Sequence, residues 1–266
     1  SNVEDERRER QPNMNIVGAD KVVPDDQDIQ VAASGELDMS KAHQTISAYD
    51  VNAIEAAAQL AASVGDSKVT VVTVGPAVID DSKLKKNILA RGADELVMVA
   101  DDACVDMDAY ATAAALASAI DGLDGWDVIV CGDGSADNYA QQVDVQLAYK
   151  LGVPVTTAAV EIIPVDAGLC AKRRLEDVVE TVELPMPCVV SVLPDIALPR
   201  IPGMKDILAA GKKPMRVEGA PAAPETTVEI VDIKAPKAEE RKLEVKSASD
   251  DGAIEAFAAA IKSALQ

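Results

Sequence analysis

Aromatic side chains are nearly missing from this chain: Trp126, Phe257 and tyrosines 49, 110, 139 and 149 make up 2% of 266 residues. The core must therefore be built from Ala, Val, Leu and Ile, which suits helices layered on a buried parallel sheet. Histidine is reduced to His43, which has no neighbouring ligand and so makes no zinc site; it reads as an exposed or core-edge imidazole. Cys104, Cys131, Cys170 and Cys188 form no CxxC pair, and Cys131 and Cys188 lie inside apolar runs, so they read as buried free thiols. No apolar stretch approaches the ~20 residues that span a bilayer, and no secretory segment opens the chain, so a reduced, cytoplasmic setting is expected. Positive charge is scarce, with 25 Lys and Arg against 45 Asp and Glu and a net charge of −20. Such a surface repels phosphate backbones, and no basic stripe with stacking rings offsets it, which excludes nucleic-acid binding.

The familiar chemical signatures are missing as well. There is no Walker lysine pattern and no GxGxxG fingerprint, so an NTPase or an ordinary dinucleotide fold fails. No GxSxG elbow, HExxH helix or Cys/His pairing occurs, and no paired-carboxylate site is evident. The chain does not read as an enzyme working by side-chain acid–base chemistry.

What is present is an alternation of strands and helices. Asn15 to Val23 (NIVGADKVV) reads as a first strand, and Ile29 to Leu37 as a small hairpin around Ser34-Gly35. Ser47 and Asp50 have capping-box spacing ahead of a helix that carries Ile54, Ala57, Ala61 and Val64 on one face and ends near Gly65. Strands follow at Lys68–Val74, Glu95–Ala100 and Trp126–Cys131, with helices at Asp80–Ala90, Met107–Ile120 and Tyr139–Leu151. Strand and helix repeating at βαβ spacing predicts an α/β fold, an open and mostly parallel sheet with helices on both faces. Ala158–Pro164, Leu169–Arg174, Val178–Leu184 and Cys188–Leu193 read as hairpins added to that sheet. Pro199-Arg200-Ile201-Pro202-Gly203 forbids regular structure. The expected organisation is a charged, patternless lead over residues 1–13, a nucleotide-binding domain over 14–218, and an extended arm over 219–266 that closes with a helix, Gly252–Leu265, carrying Ile254, Phe257, Ala258, Ile261 and Leu265 on one stripe.

In an open parallel sheet, ligands bind beyond the carboxyl ends of the strands, where strand order reverses. The loops after the first strand, after Val74 and after Cys131 qualify. The third, Gly132-Asp133-Gly134-Ser135-Ala136-Asp137-Asn138-Tyr139-Ala140-Gln141-Gln142, has two glycines that let backbone approach a ligand, and Ser135, Asp137, Gln141 and Gln142 to hydrogen-bond it. The helix behind it points its first amides at any phosphate.

At Ala171 to Pro214 the sequence closely resembles the signature region of electron transfer flavoprotein beta subunits. The likeness rests on the strand Arg173 to Asp177, then Glu180-Thr181, the step Leu184-Pro185-Met186-Pro187 into Val189-Val190, Pro199-Arg200, and Lys212-Lys213 before Pro214. Met14 to Asp28, with Lys21 before the turn, is similar to that family's first strand. Ser47 to Ala57 is similar to its first helix, and CGDGSADNYAQQV to its nucleotide loop. The branch linked to nitrogen fixation and carnitine metabolism is the most similar.

The resemblance implies a heterodimer in which an alpha subunit holds most of an electron-carrying FAD, while this chain binds AMP or a second FAD. Its nucleotide positions fall on Ala19, on Ser47, Ala48, Tyr49 and Asp50, on Val74, and on Gly132 to Val143, which includes Asp133, Gly134, Ala136, Asp137, Tyr139 and Ala140. A recognition loop for a dehydrogenase, such as an acyl-CoA dehydrogenase, falls on Pro199 through Ile207 with Pro199, Arg200 and Met204 as contacts, and the arm embraces the alpha subunit. Asp133 and Asp144 depart from the AMP-binding pattern and leave AMP against FAD open. A stand-alone adenine-nucleotide sensor of the universal-stress type would explain the loops, but not the β-rich signature or the arm.

Overall fold

Runs of Val, Ile and Ala buried on both sides place β1 (Asn15–Asp20) at the centre of a nine-stranded sheet, with Ile16 and Val17 each 1% exposed on opposite faces. The computed structural model describes residues 13–166, 168–220, 225–237 and 243–265; the charged lead at 1–12 lies outside them. β1 is flanked by β6 (Lys68–Gly75) and β8 (Val128–Gly132), both parallel to it. Beyond β6 come β7 (Glu95–Ala100) and β13 (Met215–Glu218); beyond β8 come β12 (Cys188–Val192), β9 (Val155–Val165), β10 (Gly168–Arg174) and β11 (Val179–Pro185). Only the β9–β10 and β10–β11 pairings in this sheet are antiparallel. The fold is thus a mostly parallel α/β sheet, as the strand–helix spacing predicts.

Helices cover both faces. α1 (Ala48–Val64) and α2 (Ser82–Ala90) enclose one core with Ile16, Ile54, Val71, Ile88 and Leu96. α3 (Ala109–Asp121) and α4 (Val143–Leu151) enclose the other with Val17, Val72, Leu116, Ile129 and Leu147. Each such buried side chain contributes about 1.5–3 kcal/mol by leaving water. Helix starts follow their caps: Asp81 Oδ1 accepts the N–H of Leu84 at 2.7 Å, and Asp108 Oδ1 that of Ala111 at 2.8 Å, each worth about 1 kcal/mol. Between β1 and α1 lies an insert in which β2 (Val22–Pro24) pairs with β5 (Gln44–Ile46) and β3 (Gln30–Val31) with β4 (Leu37–Asp38). α5 (Met204–Ala210) packs on α2, and α6 (Ala253–Ala264) closes the arm with Ile254, Phe257 and Leu265 exposed. Cys104, Cys131 and Cys188 are buried free thiols; His43 is exposed and pairs with Asp28.

Three sequence expectations need correcting. Cys188–Val192 is no hairpin addition: its apolar run is buried throughout and sits as a parallel strand between β8 and β9. The helix expected from Tyr139 starts at Val143, because Tyr139 and Gln141 take positive φ values of 44° and 54° that an α-helix cannot contain. Ser47 and Asp50 do not form a reciprocal capping box. Ser47 occupies the cap position without a side-chain cap bond, and both side chains are turned towards neighbouring strand ends instead.

Candidate functional site

The chain runs from β1 outwards to β6 and β7, then returns to β8 on the other side of β1. Connections therefore diverge at the carboxyl ends of β1 and β8, the place where a parallel sheet opens a crevice. The first turn of α1 lies across it. Asp50 Oδ2 accepts the N–H of Lys21, just past β1, at 3.0 Å, and its Oδ1 accepts the N–H of Gly132, the last residue of β8, at 3.0 Å. Ser47 Oγ accepts the N–H of Ala136 at 3.3 Å. A Cβ on Gly132 would lie 2.8 Å from Asp50 Oδ1 and 2.9 Å from Tyr49 Cβ, so α1 can sit this close only over glycine.

The loop from Asp133 to Gln142 stands over this junction, with Ala136 to Gln142 exposed. Tyr139 turns back so that its hydroxyl donates to Asp133 Oδ2 at 2.6 Å; the carboxylate pushes the phenol up to about 12. Its ring lies over Gly134, where a Cβ would be 2.3 Å away, and 5.0 Å from the Tyr49 ring. Gln141 Nε2 donates to Asp133 Oδ2 at 3.4 Å and to the Tyr139 hydroxyl at 3.3 Å. Lys21 Nζ lies 2.7 Å and 2.9 Å from the two oxygens of Asp137, whose Oδ1 also accepts from Ser135 Oγ at 2.5 Å. Burial pushes the Asp137 carboxyl up, but these donors outweigh it and hold it below the usual range.

Several features suit a nucleotide. Asp133 Oδ1 is buried without a partner and can accept from a hydroxyl. Gln142 opens α4 without a side-chain cap bond; of the first-turn amides, that of Val145 is held by Asp144 Oδ1 at 2.8 Å, and those of Val143 and Asp144 remain for a polar ligand. The backbone access expected at Gly132 and Gly134 is not what these glycines provide: Asp50 and Tyr49 fill the space over the first, and the Tyr139 ring that over the second. Of the remaining expected positions, Ala48 is exposed at the start of α1, and Val143 is half-buried where α4 begins. Ala19 and Val74 are buried on the α3 face and reach the crevice only as its wall. Ala140 and Gln142 are exposed on the loop.

Asp20 was not anticipated. It closes β1 beneath α1, is 5% exposed, and neither carboxylate oxygen has a hydrogen-bond partner. Burial, and then the charge of Asp50, pushes its carboxyl well above the usual range; Arg91 opposes this. Burial raises Asp50 to about 7 against its two backbone donors. The two are not equivalent: two backbone donors favour the ionised form of Asp50, and neither oxygen of Asp20 has a partner, so Asp20 holds its proton the more tightly.

A family model, the electron transfer flavoprotein domain, matches residues 35–223, more than two thirds of the chain. The chain belongs to the electron transfer flavoprotein family. That places it in a family of flavin-based electron carriers. Among the described residues, no helix is long and apolar enough to cross a membrane, and no group of metal-binding side chains occurs.

A second surface of this flavoprotein domain lies away from the crevice. Pro199, Arg200 and Met204 are not brought to the Gly132 loop; Arg200 sits beside the second turn of α1, and Met204 opens α5, which packs on α2. Asn52 Nδ2 donates to the carbonyls of Pro194 and Ala197 at 2.9 Å and 2.8 Å. Glu55, whose side chain is 8% exposed, takes Arg200 Nε at 2.6 Å, Arg200 Nη2 at 3.1 Å and the Arg200 N–H at 3.2 Å. Burial alone would raise the Glu55 carboxyl, but Arg200 and Gln59 hold it below its ordinary value. Arg91 Nη1 donates to the Arg200 carbonyl at 3.2 Å. The loop pinned this way exposes Leu198, Ile201 and Met204 at 91%, 94% and 76%. A cavity of about 210 Å³ lies behind it, lined by Gly92, Arg200, Ile201, Asp206 and Lys213 among others. Arg200 is thus a support of the loop more than a free contact. Glu55 and Asn52 escaped the sequence reading; the one available signal was a lone acid in the alanine-rich run AIEAAA.

Proposed function

We propose that this chain is the beta subunit of a heterodimeric electron transfer flavoprotein, of the branch linked to nitrogen fixation and carnitine metabolism. In this reading it works in the cytoplasm. An alpha subunit holds most of an electron-carrying FAD, and the present chain binds AMP or a second FAD between β1 and β8. The observation that carries the reading is the junction itself: Asp50 ties both strand ends to α1, and a glycine-bearing loop stands over them. Ser47 to Asp50 and Gly132 to Val143 would wrap the nucleoside, with Asp133 Oδ1 accepting a hydroxyl and the α4 amides facing a phosphate. When bound, the flavin supplies the electron chemistry. The chain's own residues orient the cofactor, exclude water from the crevice and offer no acid–base group to a substrate.

The loop through Pro199, Arg200 and Met204 serves a dehydrogenase such as an acyl-CoA dehydrogenase. Its exposed apolar side chains on a pinned backbone support that role, since a rigid anchor loses little entropy on docking. The domain over 14–218 forms the body, and the arm over 219–266 gives the exposed Phe257 and Leu265 a place to bury on the alpha subunit. Coexpression with that subunit is the test. A yellow heterodimer reducible by a dehydrogenase is expected, and the count of tightly bound flavin separates one FAD with AMP from two FAD. A colourless monomer that binds ATP by itself would overturn the reading in favour of a nucleotide sensor.

A further inference from the structure

The crevice is strongly acidic. Asp20 lies beneath α1 and Asp50 in its first turn, Asp133 and Asp144 are buried at the foot of the loop, and Asp137 stands on its exposed part. Lys21 is the cation at this junction, and it is already engaged: both oxygens of Asp137 accept from its ammonium group, while Ser135 Oγ donates to Oδ1 of the same carboxylate. The pair spans the mouth of the crevice, since Lys21 follows β1 and Asp137 belongs to the loop after β8.

A carboxylate held by an ammonium and a hydroxyl is bound as a phosphoryl group would be. We infer that Lys21 and Ser135 form an anion subsite for the phosphate of the crevice's nucleotide, and that Asp137 occupies this subsite from within the chain until the ligand displaces it. The inference rests on the nucleotide reading above and adds the identity of the residues that set its preference for phosphorylated ligands. Lys21 and Asp137 are about one-third exposed, so the pair is weak and exchanges readily. Asp137 is on an exposed loop and can swing away, whereas Lys21 is anchored by its own N–H on Asp50. Asp137 therefore acts as a competing anion that lowers affinity for phosphorylated ligands more than for the bare nucleoside.

The test compares AMP with adenosine by calorimetry on the full chain freed of bound nucleotide. Asp137→Asn should raise AMP affinity relative to adenosine about five-fold, the scale of an exposed ion pair, with the gain shrinking at high salt. Lys21→Met added to Asp137→Asn should return the AMP-to-adenosine affinity ratio to the wild-type value. An unchanged AMP-to-adenosine ratio in Asp137→Asn, with both ligands still binding, overturns the subsite and leaves the nucleotide reading standing. If the wild-type chain binds neither ligand, both fall together. Retention of the gain in the double variant removes Lys21 from the subsite and overturns the inference.

Discussion

Oδ1 of Asp50 accepts the N–H of Gly132 at 3.0 Å, so the first turn of one helix is fastened to the end of a strand 82 residues later in the chain. The other oxygen holds the N–H of Lys21 past the neighbouring strand. Asp50→Ala would leave two amides without their acceptor. Their loss costs about 2 kcal/mol, partly offset because the change also removes a buried carboxyl that burial disfavours when ionised. Chemical denaturation should show that loss, and calorimetry should show weakened nucleotide binding. Stability equal to wild type would mean that Asp50 does not hold the strand ends together.

The buried pair Asp20 and Asp50 makes stability fall as pH rises. Both folded-state carboxyls are raised, Asp50 to about 7, against an ordinary value of 3.8. Between those limits the unfolded chain has lost protons that the folded chain retains, so the folded state binds more protons and loses stability with increasing pH. The midpoint of urea unfolding should therefore decline from pH 5 to pH 8, by roughly 2 kcal/mol in free energy. Asp20→Asn should flatten that decline. A profile of unchanged slope in Asp20→Asn would show that Asp20 does not carry the proton.

At the acid end Asp108 has the opposite sign. Its Oδ2 accepts the N–H of Thr227 at 2.5 Å, the Thr227 hydroxyl at 2.7 Å and the N–H of Val228 at 2.9 Å, which clips the arm to the start of α3. Burial opposes ionisation, but these donors and Ala111 hold its carboxyl down to about 2. A depressed carboxylate contributes stability above its unfolded value near 3.8, and this is lost as pH falls through the folded value near 2. Asp108→Asn at neutral pH removes the same charge, so limited proteolysis should cut near Thr227 several-fold faster. Equal cleavage rates would show that the arm is held elsewhere.

Much of the sheet was legible in the sequence because strands buried on both faces read as continuous apolar runs. Lys68–Val74 and Trp126–Cys131 stand out for that reason. Cys188–Val192 has the same character but follows two true hairpin strands, and its parallel partners lie far away in the chain, where local pattern carries no information. Loop glycines and the Ser47–Asp50 spacing pointed to segments that the fold does bring together, through a wrong geometry. Capping-box residues were spent on long-range strand ends, an outcome that depends on which strands end beside α1. Asp20 was hidden because a single acid at the end of an apolar run looks like the start of a solvated turn.

Glu55 and Arg200 offer a test of how the loop through Pro199 and Arg200 is held. Removing Arg200 leaves a buried carboxylate with only Gln59, at a cost of about 2 kcal/mol, reduced by the half exposure of the arginine. Arg200→Ala should lose that stability, and Glu55→Gln combined with Arg200→Gln should recover part of it, since an amide pair can still bond without a buried charge. A double-mutant cycle with no coupling would mean that the pair is incidental to the loop.

Met204 opens α5 with its side chain 76% exposed, so a charge there disturbs nothing within the chain. Met204→Asp should leave the unfolding midpoint and the flavin content of the heterodimer unchanged. Interface burial is a different matter: a methionine that fills a partner's apolar pocket is replaced by a carboxylate that must be desolvated there without a partner, at a cost of several kcal/mol. Stopped-flow reduction by the dehydrogenase should therefore slow at least ten-fold at sub-saturating concentration, with saturation moved to higher concentration. Met204→Leu, which preserves an apolar anchor of similar size, should remain near wild type. If Met204→Asp is reduced as fast as wild type, the dehydrogenase docks elsewhere. If flavin is lost instead, Met204 faces the alpha subunit and not the donor.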